Sequence, residues 1–212
     1  MLMRKLFTGA LLGATLSVGA LAAGNALAVG AAADIGQPAP SFTGKAADGS
    51  TVSLDSLRGK TVVLEWTNHD CPFVKKHYGA ENMQKVQKEA AAKDIVWLQV
   101  ISSGPGKQGH VDGPTAIKLN EQRGATVANT LLDVDGKIGK AYGAQTTPHM
   151  YIIDPQGTLV YKGGIDSIPS ARADDIPQAV NYVREALQAM DSGKPVPNAT
   201  TRAYGCTVHY AS

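Results

Sequence analysis

The sequence predicts an α/β sandwich with a mixed β-sheet. Short apolar runs at 61–67 and 95–101 have the composition of buried strands, and segments with helical spacing alternate with them. A hairpin of 150–153 with 158–161 then precedes a final helix. Strands that alternate with helices are typical of a sheet covered by helices. The closing hairpin adds antiparallel strands, so the predicted sheet is mixed.

The N-terminal segment is expected to lie outside the folded domain. Two basic residues precede an apolar stretch, and Ala26-Leu27-Ala28 has the small residues of a cleavage site. Residues 1–28 are therefore predicted to be a secretory signal peptide, with an uncleaved membrane anchor as the alternative. Residues 29–40 are predicted to be a linker. A cleaved signal predicts a periplasmic or secreted protein without stable membrane association.

The charge balance argues against one class of partner. Without residues 1–28, 18 basic and 18 acidic residues remain, and no cluster of Lys and Arg stands out. Nucleic-acid-binding surfaces need such a cluster. We therefore expect no nucleic-acid partner.

The other elements follow in order along a predicted domain at 41–191. Residues 41–43 and 51–53 flank Asp48-Gly49, which predicts an N-terminal hairpin. Further predicted elements are a helical turn at 54–59, a helix after Pro72 that breaks at Gly79, a helix at 115–123, a strand at 130–132 and a helix over 134–142.

The last helix is predicted from the most regular apolar stripe in the chain. Its members are spaced by four, three, four and three residues; they are Ile176, Val180, Val183, Leu187 and Met190. Asp174 or Asp175 is the expected cap residue, and Gly193 and Pro195 end the helix. Residues 192–212 are then predicted to be an extended C-terminal tail.

Cys71 is the first candidate for chemistry. It follows a predicted strand directly, and Pro72 is suited to the first position of a helix. Cys71 is therefore predicted to cap a helix, where backbone N–H groups favour the thiolate, the reactive form of cysteine. We also expect Lys75, Lys76, His69 and His77 to lower its pKa, against repulsion from Asp70. The alternative is a structural half-cystine or an inert thiol.

Cys206, in the tail, is the only other cysteine. It lies 14 residues after Ser192, so a loose tail spans up to ~46 Å at ~3.3 Å per residue, well beyond a domain radius of gyration of ~16 Å. Cys206 can thus reach Cys71, either as a resolving cysteine or in a permanent structural disulfide. A copper or zinc site is a further alternative, built from the two cysteines with four histidines: His69, His77, His149 and His209.

Four segments together resemble a known superfamily. They are Trp66-Thr67-Asn68-His69-Asp70-Cys71-Pro72-Phe73-Val74-Lys75, Tyr142-Gly143-Ala144-Gln145-Thr146-Thr147-Pro148, Tyr161-Lys162-Gly163-Gly164-Ile165-Asp166, and Gly193-Lys194-Pro195-Val196-Pro197 leading to Gly205-Cys206-Thr207-Val208. In order and spacing they resemble peroxiredoxin-like redoxins of the alkyl hydroperoxide reductase/thiol-specific antioxidant superfamily. The resemblance implies a thioredoxin-like three-layer sandwich with a central mixed sheet, an N-terminal hairpin and an extended C-terminal tail.

The resemblance also implies roles for single residues. Cys71 is the nucleophile, Pro148 forms a cis peptide bond beside it, and Thr67 or Asn68 hydrogen-bonds the negative oxygen that develops in the reaction. Three positions depart from the pattern of the families that this sequence resembles. Val74 replaces the second cysteine of thioredoxins, Asn68 stands where peroxiredoxins place a threonine, and only Arg123 offers itself as their catalytic arginine.

Together these features predict an exported thiol oxidoreductase with antioxidant activity of the peroxiredoxin type. Its substrate would be a peroxide or a protein disulfide, its partner an external thiol reductant or a thioredoxin-like protein, and it would need no cofactor or metal. One alternative is a thiol–disulfide exchanger without peroxidase activity. The other is a non-catalytic or metal-binding module of the same fold with a structural disulfide.

Overall fold

The computed structural model describes residues 33–211 of the chain. The predicted signal peptide, 1–28, lies outside the described residues. The described part of the segment expected to be a linker, 33–40, is packed against the domain. Ala33 and Ala39 are buried, and Pro38 forms a bridge with Thr158. Among residues 33–211, every helix is too short or too polar to cross a membrane.

The elements follow the predicted order. They are β1 (Thr43–Lys45), β2 (Thr51–Ser53), β3 (Val62–Trp66), α1 (Pro72–Gly79), α2 (Asn82–Ala91), β4 (Val96–Ile101), α3 (Gly113–Gln122), β5 (Asn129–Leu132), α4 (Lys137–Tyr142), β6 (Thr146–Thr147), β7 (His149–Ile153), β8 (Leu159–Gly163), α5 (Tyr182–Asp191) and β9 (Cys206–Thr207). Short 3₁₀ helices at Asp55–Leu57 and Ala173–Gln178 complete the set. As expected, the helix after Pro72 ends at Gly79.

The central sheet is mixed, as predicted. Its strand order is β5-β4-β3-β7-β8. β3 pairs parallel with β4, and β4 pairs parallel with β5, whereas β7 is antiparallel to both β3 and β8. β1 and β2 form the predicted N-terminal hairpin. A parallel pair needs a crossover connection, and α1 with α2 supplies it between β3 and β4.

Helices cover both faces of this sheet, which gives the predicted three-layer, thioredoxin-like arrangement. Alternate residues of β3 face opposite sides: Leu64 belongs to a core shared with α4 and the hairpin, and Val63 to a core shared with α1, α2 and α5. Both side chains are fully buried.

A buried carboxylate fixes α1 and α2 on the sheet. Glu65, on β3, accepts hydrogen bonds from the Tyr78 hydroxyl (2.9 Å), Trp97 Nε1 (2.8 Å) and Gln87 Nε2 (3.1 Å). Burial raises the pKa of Glu65. The three donors compensate for the loss of water around the carboxyl group, and they hold α1 in the position from which its first turn meets the end of β3.

The last helix begins later than the apolar stripe predicts. Pro177 lies inside the 3₁₀ helix, Ala179 is extended, and α5 starts only at Tyr182. The cap residue is Asn181, whose side chain accepts a hydrogen bond from the Arg184 N–H (2.9 Å). The prediction of Asp174 or Asp175 as the cap was therefore wrong, and Val180 is 45% exposed rather than part of a buried stripe.

The cap of α5 can be tested by substitution. We expect Asn181→Ala to lower the free energy of unfolding by about 1 kcal/mol, because the Arg184 N–H loses its acceptor. Asp174→Ala, at an exposed position, is the matched control and should change it by less than about 0.5 kcal/mol. Urea unfolding followed by circular dichroism measures both. A larger loss for Asp174→Ala would contradict this start of the helix.

Candidate active site

Cys71 caps α1, as its place in the sequence predicts. Its backbone is extended (φ −68°, ψ 124°), and Pro72 takes the first helical position. The Cys71 N–H donates to the Asn68 carbonyl (3.1 Å), and the Cys71 carbonyl accepts from the Lys75 N–H (2.9 Å). The turn from β3 into α1 therefore fixes the backbone of Cys71 on both sides. The residue is fully buried.

The structure brings Cys206 to Cys71. Strand β9 pairs antiparallel with β6, so that Cys206 lies opposite Thr147 and Thr207 opposite Thr146. The Cys71 Sγ donates to the Thr147 carbonyl (3.1 Å), and the two thiols lie close enough for each to shift the pKa of the other. Both cysteines are free thiols here, so the expected disulfide is not formed although its two sulfurs lie together.

The surroundings of Cys71 favour its thiolate on balance. Burial raises the pKa of the thiol, but the polar groups beside it, the Cys206 thiol, the Val74 N–H and the Thr147 side chain, bring the pKa below its ordinary value. The Val74 N–H belongs to the first turn of α1, whose free donors stabilise a negative charge. Lys76 and His77, expected to act on Cys71, instead face Asp166.

Cys206 is shifted in the opposite direction. Burial, its contact with the Cys71 thiol and the charge of Cys71 raise its pKa to about 12. Of the two thiols, Cys71 therefore loses its proton at the lower pH. The thiolate forms on Cys71, the sulfur at the helix N-terminus, as the asymmetry of a nucleophile and a resolving thiol requires.

The other predicted residues lie around the two sulfurs. The peptide bond between Thr147 and Pro148 is cis, as expected. Thr67 and Asn68 are buried on the turn that leads to Cys71. The Thr67 hydroxyl has no hydrogen-bond partner among the described residues, whereas the Asn68 Oδ1 accepts from the Asp70 N–H (2.9 Å).

Arg123 lines a groove beside the first turns of α1. The groove has a volume of about 690 Å³ and is also lined by His69, Asp70 and Lys75. The guanidinium lies 4.0 Å from the centre of the Tyr78 ring, and its Nε and Nη2 both donate to the Asn120 Oδ1. Within residues 33–211 it makes no hydrogen bond to Cys71. Arg123 is thus near the site but is tied to α3 rather than to the nucleophile.

The four histidines do not form one cluster. His77 contacts Tyr204 and Asn82, His149 packs on Tyr151, and His69 lies beside Asp70. Across residues 33–211, no three His, Cys, Asp or Glu side chains are arranged to hold a metal ion. Nothing in the geometry therefore favours the metal-binding alternative.

The tail is docked rather than loose, which corrects the expectation of a flexible segment. The Val208 N–H donates to the Gln145 carbonyl (2.9 Å), and the His209 carbonyl accepts from the Gly104 N–H (2.8 Å). The surface that the tail covers is lined by glycines, which have no side chain. A Cβ at any of five glycines would collide with tail atoms, namely Gly104, Gly136, Gly139, Gly163 and Gly164. Sequence reasoning missed this surface because the glycines are far apart in the chain.

The proximity of the two thiols predicts an effect of Cys206 on the pKa of Cys71. Cys206→Ala removes the S–H donor, so we expect the pKa of Cys71 to rise. Cys206→Ser is the matched control, because its hydroxyl keeps a donor, and the rise should be smaller. The pH dependence of iodoacetamide labelling at Cys71, followed by mass spectrometry, measures the pKa. Identical values in the three proteins would contradict the assigned contact.

Two buried histidines predict a loss of stability in acid. Burial lowers the pKa of His77 and of His149 to about 4, whereas an unfolded histidine titrates near 6.5. As the pH falls from about 6.5 to about 4, the unfolded chain takes up protons that the folded chain does not. The free energy of unfolding should therefore decrease, by roughly 2 kcal/mol per histidine between about pH 7 and pH 5.

Urea unfolding at several pH values tests this, and the His149→Gln variant should show a shallower slope than the parent. Glu65 and Asp133 act in the opposite direction, because burial raises the pKa of each in the folded state. The comparison of slopes isolates the histidine, since both carboxyl groups are unchanged in the variant. An unchanged slope would contradict a neutral, buried His149.

Comparisons with known proteins agree with this architecture. An uncharacterised conserved protein from Geobacillus kaustophilus is 26% identical, with a TM-score of 0.70 over 84% of this chain and 93% of the other. A hypothetical protein from Sinorhizobium meliloti 1021 is 21% identical, with a TM-score of 0.70 over 86% and 97%. No match was found among curated proteins. The AhpC/TSA family model matches residues 35–162, more than half of the chain, and the chain therefore belongs to the AhpC/TSA family.

Proposed function

We propose that this chain is an exported thiol peroxidase of the redoxin type, with Cys71 as the nucleophile and Cys206 as the resolving cysteine. One observation carries the proposal: two free thiols lie together at the N-terminus of α1, where the Thr147 carbonyl accepts from Cys71 and Thr147 pairs with Cys206. The pKa of Cys71 is lowered there and that of Cys206 is raised. Export rests on the predicted signal peptide at 1–28, and periplasmic or secreted localisation follows from it.

The first step oxidises Cys71. Its thiolate attacks the terminal oxygen of a hydroperoxide, the O–O bond breaks, and the alkoxide or hydroxide that leaves takes up a proton from solvent to become an alcohol or water. Cys71 becomes a sulfenic acid. The Thr67 hydroxyl, buried without a partner on the same turn, is our candidate donor to the oxygen that becomes negative, with Asn68 as the other.

The second step forms a disulfide. The Cys206 sulfur attacks the Cys71 sulfur, the S–O bond breaks, and water leaves with the proton of the Cys206 thiol. The neighbouring negative charge that raises the pKa of Cys206 is gone once Cys71 is oxidised. An external dithiol, such as a thioredoxin-like protein, then reduces the disulfide by exchange and is itself oxidised. Sulfur carries both electrons, so the cycle requires no cofactor.

The covered site favours a peroxide over a protein disulfide as the oxidant. Cys71 has no exposed surface, and β9 already occupies the edge of β6 beside Pro148. In our proposal, Pro148 and this edge position the group that reacts with Cys71. A protein substrate would have to displace the tail before its own sulfur could approach Cys71. A small hydroperoxide needs much less space at the site. Exchange with protein disulfides remains the second candidate.

A brief peroxide pulse followed by mass spectrometry tests the proposal. The parent protein should form a Cys71–Cys206 disulfide, and Cys206→Ser should accumulate one added oxygen on Cys71, because no resolving thiol is present. Cys71→Ser is the control and should stay unmodified at Cys206, whose sulfur lies on β9, outside the helix N-terminus.

The absence of any adduct in Cys206→Ser would count against peroxidase activity. Exposure of the reduced parent to an oxidised protein dithiol, in parallel, then distinguishes the second candidate. Disulfide formation with that partner but not with peroxide would identify an exchanger.

A further inference from the structure

The tail is fastened to the domain two residues before Cys206. Tyr204 is buried, and its hydroxyl donates to the Asp166 carboxylate. The same hydroxyl lies 3.2 Å from the His77 Nε2. The Tyr204 ring packs edge-to-face on Phe73, with 5.7 Å between the ring centres. One side chain of the tail thus contacts both α1 and the loop after β8.

The partner of this phenol is a buried group of charges. The Lys76 Nζ lies 3.5 Å and the His77 Nε2 3.8 Å from the Asp166 Oδ2, with all three side chains almost completely buried. The His77 Nδ1 contacts the Asn82 Nδ2 (2.9 Å). Lys76 and His77 belong to α1, the helix that Cys71 caps. The phenol therefore connects the tail to the same rigid element that carries the nucleophile.

The strand beyond Tyr204 is equally constrained. Gly205 has φ +141°, a conformation that L side chains rarely adopt. A Cβ at this position would collide with the Thr147 carbonyl, which also accepts the hydrogen bond from the Cys71 thiol. Cys206 follows directly, opposite Thr147. Its position is thus set on one side by Tyr204 and on the other by close backbone contact with β6.

We propose that Tyr204 is a positioning residue, which holds Cys206 against Cys71 through the Asp166 carboxylate and so sets the rate of disulfide closure. This inference rests on the proposed function for its role in the cycle. Packing alone would be served by a phenylalanine, whereas the hydroxyl is directed at a buried carboxylate.

Closure benefits because a docked thiol reacts at a much higher effective concentration than one on a free tail. It also competes with further oxidation of the sulfenic acid, which is irreversible in most proteins. A docked tail therefore supplies the resolving thiol and also protects Cys71 from further oxidation.

Tyr204→Phe removes only the hydroxyl and keeps the ring on Phe73. It leaves the Asp166 carboxylate short of one donor, so the docked tail becomes less favourable, by roughly tenfold or more. We expect closure after a peroxide pulse to slow by about the same factor and the share of sulfinic acid at Cys71 to increase. In the reduced protein, maleimide labelling of Cys71 should become faster, because the tail covers this thiol less of the time.

Two controls separate positioning from general loss of stability. Tyr182→Phe is the matched hydroxyl deletion, because the Tyr182 hydroxyl has no hydrogen-bond partner within residues 33–211. Ile153→Val weakens the core at the end of β7 opposite the site, where Ile153 pairs with Val62. Both should close and label at parental rates. Gly205→Ala, which disturbs the same tail without touching Asp166, should slow closure as Tyr204→Phe does.

The proposal is overturned if folded Tyr204→Phe closes and labels at parental rates while Cys206→Ser still traps the oxygen adduct. That result would leave the proposed function intact. If the parent itself never forms the disulfide with peroxide, the proposed function fails, and the labelling rate still decides whether Tyr204 holds the tail in its docked position.

Should Tyr204→Phe not fold, two variants of its partner replace it. Asp166→Asn keeps an acceptor for the phenol, and Asp166→Ala does not. Slow closure in Asp166→Ala but not in Asp166→Asn supports the positioning role of Tyr204, and equal closure rates in the two variants refute it.

Discussion

The pairing of β9 with β6 is the constraint on which the candidate site depends. It places Cys206 opposite Thr147, and the Thr147 carbonyl accepts from the Cys71 thiol. The same pairing satisfies the backbone of a two-residue strand that would otherwise be an open edge. It also removes Cys71 from solvent. The C-terminal segment is thus part of the candidate site, and its docking supplies the second sulfur, the cover over the first and part of the field that favours the thiolate.

The two thiols shift each other's pKa in opposite directions, which distinguishes the roles proposed for them. The Cys206 S–H lowers the pKa of Cys71, and the charge on Cys71 raises the pKa of Cys206. Cys206 therefore holds its proton more tightly than Cys71 does. Oxidation of Cys71 removes one of the causes that raise the pKa of Cys206, while burial, the largest cause, remains. In the proposed cycle the first step thus favours loss of the Cys206 proton in the second.

Local sequence patterns predicted most of the framework and that the tail can bring Cys206 to Cys71, but not the path along which the tail is docked. The strands at β3 and β4 and the cap position of Cys71 follow from apolar runs and Pro72, which act within a few residues. The start of α5 was misplaced because an apolar stripe does not register Pro177 or the extended backbone at Ala179. The tail could not be placed, because its partners, such as Thr147 and Asp166, are distant in sequence. The close backbone approach at Gly205 is visible only in the structure.

The surface under the tail combines two features that lower stability when considered alone. A buried Lys76–Asp166 pair carries a desolvation penalty that well-packed apolar side chains would avoid, and glycines lose more conformational freedom on folding than other residues. Both occur where residues 200–211 cross the domain. The charged pair fixes one orientation of Tyr204, and the glycines admit the tail backbone at close range. Apolar contacts alone exclude water equally well, but they are not directional and do not fix the register of the tail on the domain. Placement of one sulfur on another needs a register, and directional hydrogen bonds with close backbone contact provide it.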